Sequence, residues 1–318
     1  MTAAAFHAGE QALQARYGIA ERMAQSGRKS IRDFMPDQHR DFFAELPFLV
    51  VGSLDRRGRP WASILAGRPG FLSSPDPRTL RAAARPDVAD PLAANLRPGA
   101  KLGLLGIQPE TRRRNRMNGT VVEAGARGFA AAVAQSFGNC PQYIQARAPR
   151  LLDAARPAVT VRAEAALLSP RAAALARRAD TFFIATASAD PGADDRAQGV
   201  DVSHRGGKPG FARVTQDSGR TVLTVPDFRG NFMFNTLGNI AVNPAAGLVF
   251  VDFATGDVLQ LVGTAEAIFE GPELRGFAGA ERLLRFAVAE GLWREAALPL
   301  RWSAAEPAPQ LAATGAWN

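Results

Sequence analysis

The stretch VPDFRGNFMFNTLGNIAVNP, Val225 to Pro244, holds one arginine, four asparagines, two glycines and three phenylalanines. It lies between an alternating run, RTVLTV, and a dense apolar run, AGLVFVDF. Arg229 comes just after the first run, where a turn places its guanidinium beyond a sheet edge. Asn231 and Asn235 supply amide donors, and Gly230 lets a backbone approach closely. NFMFNTLGNI reads as a short helix whose N-terminus favours an anion. A phosphate monoester asks for this set: an arginine fork, side-chain donors and free backbone N–H groups. The same residues also fit a surface loop in which Arg229 pairs with Asp227.

Three further stretches carry candidate chemistry. In SHRGGKPGF, Ser203, His204 and Arg205 sit near a strand end and Lys208 precedes a turn, so all four can serve the same ligand. Alternatively, GGKPG is only a hairpin turn. In SFGNCPQYIQAR, Cys140 and Tyr143 flank a break after a run read as helical. A nucleophilic cysteine needs a nearby base. The only histidines are His7, His39 and His204, none close in sequence, so a structural Cys140 is the favoured reading, with a pocket-lining role left open. In ETRRRNRMNG, the cluster Arg112 to Arg116 reads as a solvated hairpin, or as a source of one arginine facing a ligand across a pair of packed units, with Arg116 the candidate on the substrate side. No Cys/His metal spacing, G-x-G-x-x-G fingerprint, Walker sequence or G-x-S-x-G elbow occurs, and no metal is expected.

The chain must position these residues, and it repeats itself to do so. DFFAELPFLVVGSLD (41–55) parallels LARRADTFFIATASAD (175–190), and ASILAGRPGF (62–71) parallels VDVSHRGGKPGF (200–211). RTL, GAKLGLLGI and MNGTVVEA then match RTV, AAGLVFVDF and LVGTAEA in the same order. Five colinear matches point to a tandem duplication of a β-rich unit. Short strands punctuated by Gly, Pro and Asp turns argue for small antiparallel barrels. The expected division is an N-terminal helical segment (1–40), a first barrel (41–125), a helical connector (126–180), a second barrel (181–270), and a C-terminal helix and tail (271–318). The fold class is mainly β with flanking helices: two tandem split barrels forming an intrachain pseudo-dimer.

Composition sets bounds. Hydrophobic residues make up 47% of 318, enough for a substantial core. No window reaches the roughly 18 apolar residues of a membrane span. The first residues carry Glu10 and Glu21 without an apolar core, which reads as an amphipathic helix and not a signal peptide. Cys140 is the only cysteine, which excludes an intrachain disulfide and suggests a cytoplasmic setting. The +8 charge is carried almost wholly by scattered arginines, so nucleic acid is not the expected partner.

The order of parts around Arg229 and the NP of Asn243–Pro244 is similar to the pyridoxamine 5′-phosphate oxidase-like family of FMN-binding split barrels. The likeness covers 180–270 well and the first repeat more loosely. FGNCPQYIQ resembles a two-unit subgroup of flavin-nucleotide-binding proteins. The resemblance implies FMN, with Arg229 at the phosphate-arginine position and Asn235 to Ile240 as the helix after it. The lysine that commonly follows that arginine is Gly230 here, with Lys208 or Asn231 as substitutes. His204, Arg205 and Ser203 would lie along the ribityl chain or ring edge, with Tyr143 and Cys140 toward the substrate. The oxidase's own C-terminal substrate signature is absent, so pyridoxamine-phosphate oxidation is not implied. Family members dimerise around the flavin; a duplicated chain builds that cleft internally, and a homodimer of such chains stays open. One flavin per chain is expected, because the counterpart stretch RPDVADPLAANL carries Asp87 and Asp90. The expected function is an FMN-dependent oxidoreductase acting on a small molecule or electron donor. The alternative is a non-catalytic carrier or sensor of flavin or haem.

Overall fold

The computed structural model describes residues 4–152, 158–193 and 195–317. Three helices open the chain: α1 (Ala8–Arg16), α2 (Ala20–Ser30) and α3 (Asp37–Glu45). Strands β1 (Phe48–Leu54), β2 (Pro60–Ala66), β3 (Leu72–Asp76) and β4 (Thr79–Ala82) follow, then helix α4 (Pro91–Asn95). Strands β5 (Lys101–Gln108), β6 (Arg113–Gly125) and β7 (Gly128–Gly138) complete the first unit. Strands β8 (Pro149–Leu151) and β9 (Thr160–Glu164) lead to α5 (Pro170–Arg178), whose Ser169 caps it as the sequence predicts. The second unit holds β10 (Thr181–Ala187), β11 (Val200–Gly206), β12 (Arg213–Asp217), β13 (Arg220–Phe228), α6 (Asn235–Val242), β14 (Ala245–Val251) and β15 (Val258–Ile268). The chain closes with α7 (Pro272–Arg275), β16 (Ala280–Glu295) and β17 (Leu300–Trp302).

The two sheets run β2-β1-β5-β6-β7-β4-β3 and β11-β10-β14-β15-β16-β13-β12, one order written twice. The duplication is therefore structural, and the mainly β, two-unit split-barrel reading holds. In the second sheet β9 also pairs with β16, and β8 pairs with β17.

Two expected helices are strands. GFAAAVAQSFG, read as a helical connector, is β7, hydrogen-bonded between β6 and β4. Alanine's helix preference, a few tenths of a kcal/mol per residue, yields to a ladder satisfied on both sides. A helix there would leave β4 and β6 with unpaired edges. The C-terminal helix after residue 271 is likewise β16, held between β15 and β13. Only four residues of α7 remain helical. Each repeat is thus longer than expected, because each ends on the strand mistaken for a helix.

Alternation along the strands builds three cores. Leu49 and Val51 face the first barrel with Phe42, Leu104 and Met117. Their neighbours Phe48 and Val50 join Phe183, Ala185 and Val249 in a cluster between the units. The equivalent strand of the second unit sends Phe182 and Ile184 inward to Phe250, Phe286 and Trp293. Residues on both faces are buried, which explains the unbroken apolar runs. Glycines seal the seam. A Cβ on Gly103 would sit 2.7 Å from the Val200 carbonyl oxygen, and one on its counterpart Gly247 2.2 Å from the Pro60 oxygen. No helix among the described residues is long and apolar enough to cross a membrane.

Candidate anion-binding site at the seam

Close backbone approach at the seam brings the start of β6 from one unit against β11 and α6 of the other. A cavity of about 850 Å³, open mouth included, lies there. Its lining includes Arg116, Cys140, Tyr143, Ser203, His204, Arg205, Asp227, Arg229, Asn231 and Asn235. The structure therefore gathers every sequence candidate except Lys208. Lys208 donates its Nζ to the Thr314 carbonyl at 2.5 Å and does not line the cavity. Its place in the expected phosphate set is corrected: the hairpin after β11 turns it toward the C-terminal tail.

Arg116 is central. It is 3% exposed. Its Nη1 donates to Asn235 Oδ1 and its Nη2 to Ser203 Oγ, both at 2.6 Å. Asp201 lies 3.3 Å from it. Its Nε has no partner among the described residues. Arg116 thus crosses from the first unit to the head of α6 in the second. That helix begins with Phe234 in the N-cap position, at φ 61°, with no side-chain cap. Its first N–H groups are left for a ligand. Phe232 is also left-handed, at φ 60°, as is Tyr143 at 63°. Bulky residues rarely adopt this conformation, and such strain gathers at functional sites.

Arg229 is exposed at the rim, its guanidinium 5.6 Å from the Phe232 ring centroid. The alternative pairing of Arg229 with Asp227 does not form. Asp227 instead accepts from Arg282 Nε at 2.8 Å and lies 3.5 Å from Arg205. Asn231 Oδ1 accepts from the Met233 N–H at 3.2 Å. Cys140 is half-exposed on the wall and not a core residue. Its carbonyl accepts from Arg114 Nε at 2.7 Å. Tyr143 stacks on Phe228 with centroids 4.9 Å apart.

His204 is buried, and burial, followed by Arg114 and Arg205, holds its pKa well below the usual imidazole range. Arg114 Nη1 lies 3.3 Å from Nδ1. Arginine can only donate, so Nδ1 accepts and the proton of the neutral ring sits on Nε2. Burial also lowers the pKa of Arg114, to about 9, and that of Arg116 and Arg205, with neighbouring arginines adding to the effect. Cations crowded out of water in this way favour an anion.

Several site residues escape sequence reasoning. Arg282 comes from β16, the strand misread as a helix. Helix α1, outside both barrels, clamps the strained loop. Glu10 Oε1 accepts from Asn235 Nδ2 at 2.6 Å, and Gln14 Nε2 donates to the Met233 carbonyl at 3.4 Å. Tyr17 stacks on Phe234 at 5.3 Å and accepts from Arg282. Gly9 and Gly238 permit the contact: a Cβ on Gly9 would lie 2.1 Å from the Gly238 carbonyl oxygen. Only the glycine on each helix hinted at this crossing.

Burial, then Asp201, pushes the Glu10 carboxyl well above its usual range. A raised carboxyl pKa makes the fold lose stability as pH rises from the unfolded value toward the folded one. Glu10→Gln keeps an acceptor for Asn235 and removes that loss. The variant should match the parent in thermal denaturation near pH 4 and melt higher at pH 8, roughly as the linkage relation requires. Identical pH profiles would show that Glu10 ionises freely.

The pseudo-twofold counterpart of this site is closed. Strand pairing equates Leu105↔Arg116 with Val249↔Gln260. Gln260 reaches back to Ser63 Oγ at 3.0 Å, as Arg116 reaches Ser203. Asn95 donates to Ser53 and Asn239 to Thr186, each at 3.0 Å, which aligns α4 with α6. Yet α4 is capped by Asp90, whose Oδ1 accepts from the Leu92 N–H at 2.9 Å. Arg294 neutralises that carboxylate at 2.6 Å. Where the second unit has an open helix head, the first has an internal carboxylate, neutralised by an arginine that reaches in from β16 of the second.

Residues 35–163 match the family model described as pyridoxamine 5′-phosphate oxidase. That stretch is similar to a pyridoxamine 5′-phosphate oxidase-like unit. The match falls on the first repeat, whereas the likeness is expected mainly over 180–270 and only loosely in the first repeat. The oxidase-like match runs through β7, the strand expected to be helical. Among solved structures, HupZ of Group A Streptococcus is 16% identical, covering 38% of this chain and 90% of its own, with a TM-score of 0.30. A pyridoxamine 5′-phosphate oxidase candidate of Lactobacillus delbrueckii is 15% identical over 39% of this chain and 93% of its own, TM-score 0.30. The MrkH–c-di-GMP complex of K. pneumonia is 10% identical over 82% and 87%, TM-score 0.24. No curated protein matches the chain.

Proposed function

We propose that this chain binds one FMN at the seam between its oxidase-like units and acts as an oxidoreductase. The observation that carries this reading is the contrast between the two helix heads. In one unit Asp90 fills the head of α4 and is neutralised by Arg294, which reaches across the seam from β16. In the other the head of α6 is uncapped, and Arg116 waits beside it with a buried, unpartnered Nε. A ligand phosphate would take the place that Asp90 fills in the first unit. The closed counterpart also supports a stoichiometry of one.

Arg116, Arg229, Asn231, Asn235 and the first N–H groups of α6 would hold the phosphate. Ser203 and Arg205 would face the ribityl chain. Bound there, the isoalloxazine would supply hydride or electron transfer, and the chain would supply position and electrostatics. Neutral His204, with its proton on Nε2, is a hydrogen-bond donor that adds no charge. Asp227 holds Arg205 and Arg282 in place. Tyr143 and Cys140 form the wall on the substrate side.

The test is the absorption spectrum of the purified protein, with an FMN titration. A band near about 450 nm that bleaches with NAD(P)H and returns in air is expected of an enzyme. A flavin or haem colour that no pyridine nucleotide bleaches would favour the carrier or sensor. A colourless protein indifferent to added FMN would overturn the flavin reading. Arg229→Ala should weaken FMN about tenfold, the low end for a charge-assisted contact because the residue is exposed. Lys208→Ala should leave affinity unchanged.

A further inference from the structure

We propose that the substrate side of this cavity seats a small carboxylate on Arg114. The position of that carboxylate relative to a flavin ring rests on the reading above; its pairing with Arg114 does not.

Arg114 and Arg116 are two residues apart on β6, in a register without a bulge between them. Their side chains leave the same face, about 7 Å apart along the strand. Arg116 is tied to Asn235 at the head of α6, which marks the phosphate end. Arg114 marks the opposite direction, beside Cys140, Tyr143 and His204.

The other inner arginines each have a carboxylate. Arg116 has Asp201 at 3.3 Å and Arg205 has Asp227 at 3.5 Å; Arg282 shares Asp227 at 2.8 Å and has Glu281 at 3.0 Å. Arg114 has none among the described residues. Its two contacts, the Cys140 carbonyl and the neutral His204 ring, are both uncharged. The ionisable neighbours that act on it are Arg116, Cys140 and Arg205, and none is a carboxylate. A half-buried guanidinium without a counter-ion is costly to hold, and a bound anion relieves that cost. One unbalanced cation with one remaining N–H edge matches a carboxylate monoanion. A phosphate dianion suits the several donors gathered at α6 better.

Saturation-transfer NMR with acetate and succinate tests this on the flavin-free chain and again after loading with FMN. Saturable contact is expected in both states. Arg114→Gln should weaken it about tenfold or more, the usual effect of losing a charge-assisted pair. Arg114→Lys should recover part of it, and FMN affinity should change less than about threefold in either variant. Equal carboxylate binding by parent and Arg114→Gln would overturn the proposal. So would displacement of succinate by equimolar inorganic phosphate, or a tenfold loss of FMN affinity in Arg114→Gln, which would place Arg114 in the phosphate set. A chain that binds carboxylate through Arg114 but takes up no FMN would sink the flavin reading alone.

Discussion

Arg116→Gln should cost the protein both the FMN we propose it binds and much of its stability. The change copies Gln260, the residue at the equivalent position of the closed site. It removes the bridge to Asn235 and Ser203 and leaves Asp201, 9% exposed, without its cation. Removing one partner of a buried pair costs about 3–5 kcal/mol. FMN affinity should fall at least about a hundredfold, near 2.7 kcal/mol, because the helix head loses its buried arginine partner. Urea denaturation and flavin titration read the two effects separately. Adding Asp201→Asn should restore stability by neutralising the stranded charge, and it should not restore FMN binding. A single variant that keeps FMN within about threefold of the parent would mean the phosphate lies elsewhere.

Arg294→Met should destabilise the fold by a similar amount and spare the cofactor. Arg294 and Asp90 have side chains only 4% and 3% exposed, at 2.6 Å. Without Arg294, Asp90 keeps its cap on α4 and its bond from Ser63 but loses its counter-charge. The expected loss is about 3–5 kcal/mol, seen as a lower urea midpoint. Asp90→Asn in the same chain should recover most of it, since an asparagine still caps the helix. FMN affinity and a ratio of one per chain should be unchanged. A loss of FMN binding without a loss of stability would show that the two seam sites are not independent.

Much of this site was legible from residue types. Arg229, Asn231 and Asn235 share one short connection, and the cavity gathers them with Ser203, His204 and Arg205. Local chemistry of this kind survives folding because a strand end, a turn and a helix start stay neighbours whatever packs around them. Lys208 failed for the same reason in reverse: its hairpin fixes its neighbours but not the direction of a long side chain. Strands β7 and β16 were missed because alanine-rich and charged sequences fit both periods, and only flanking strands with unpaired edges decide between them.

From its residues alone the chain declared a duplicated β unit, a loop rich in amides beside an arginine, and the absence of metal-ligand spacings. These are patterns of short range, written in neighbouring positions. Folding alone decided that Arg116 crosses into the other half, that α1 braces the strained loop through Glu10 and Tyr17, and that Asp90 with Arg294 closes the second site. Those contacts join residues from 119 to 265 positions apart. No local propensity encodes them; they arise when two barrels bury their shared face and bring distant charges out of water together.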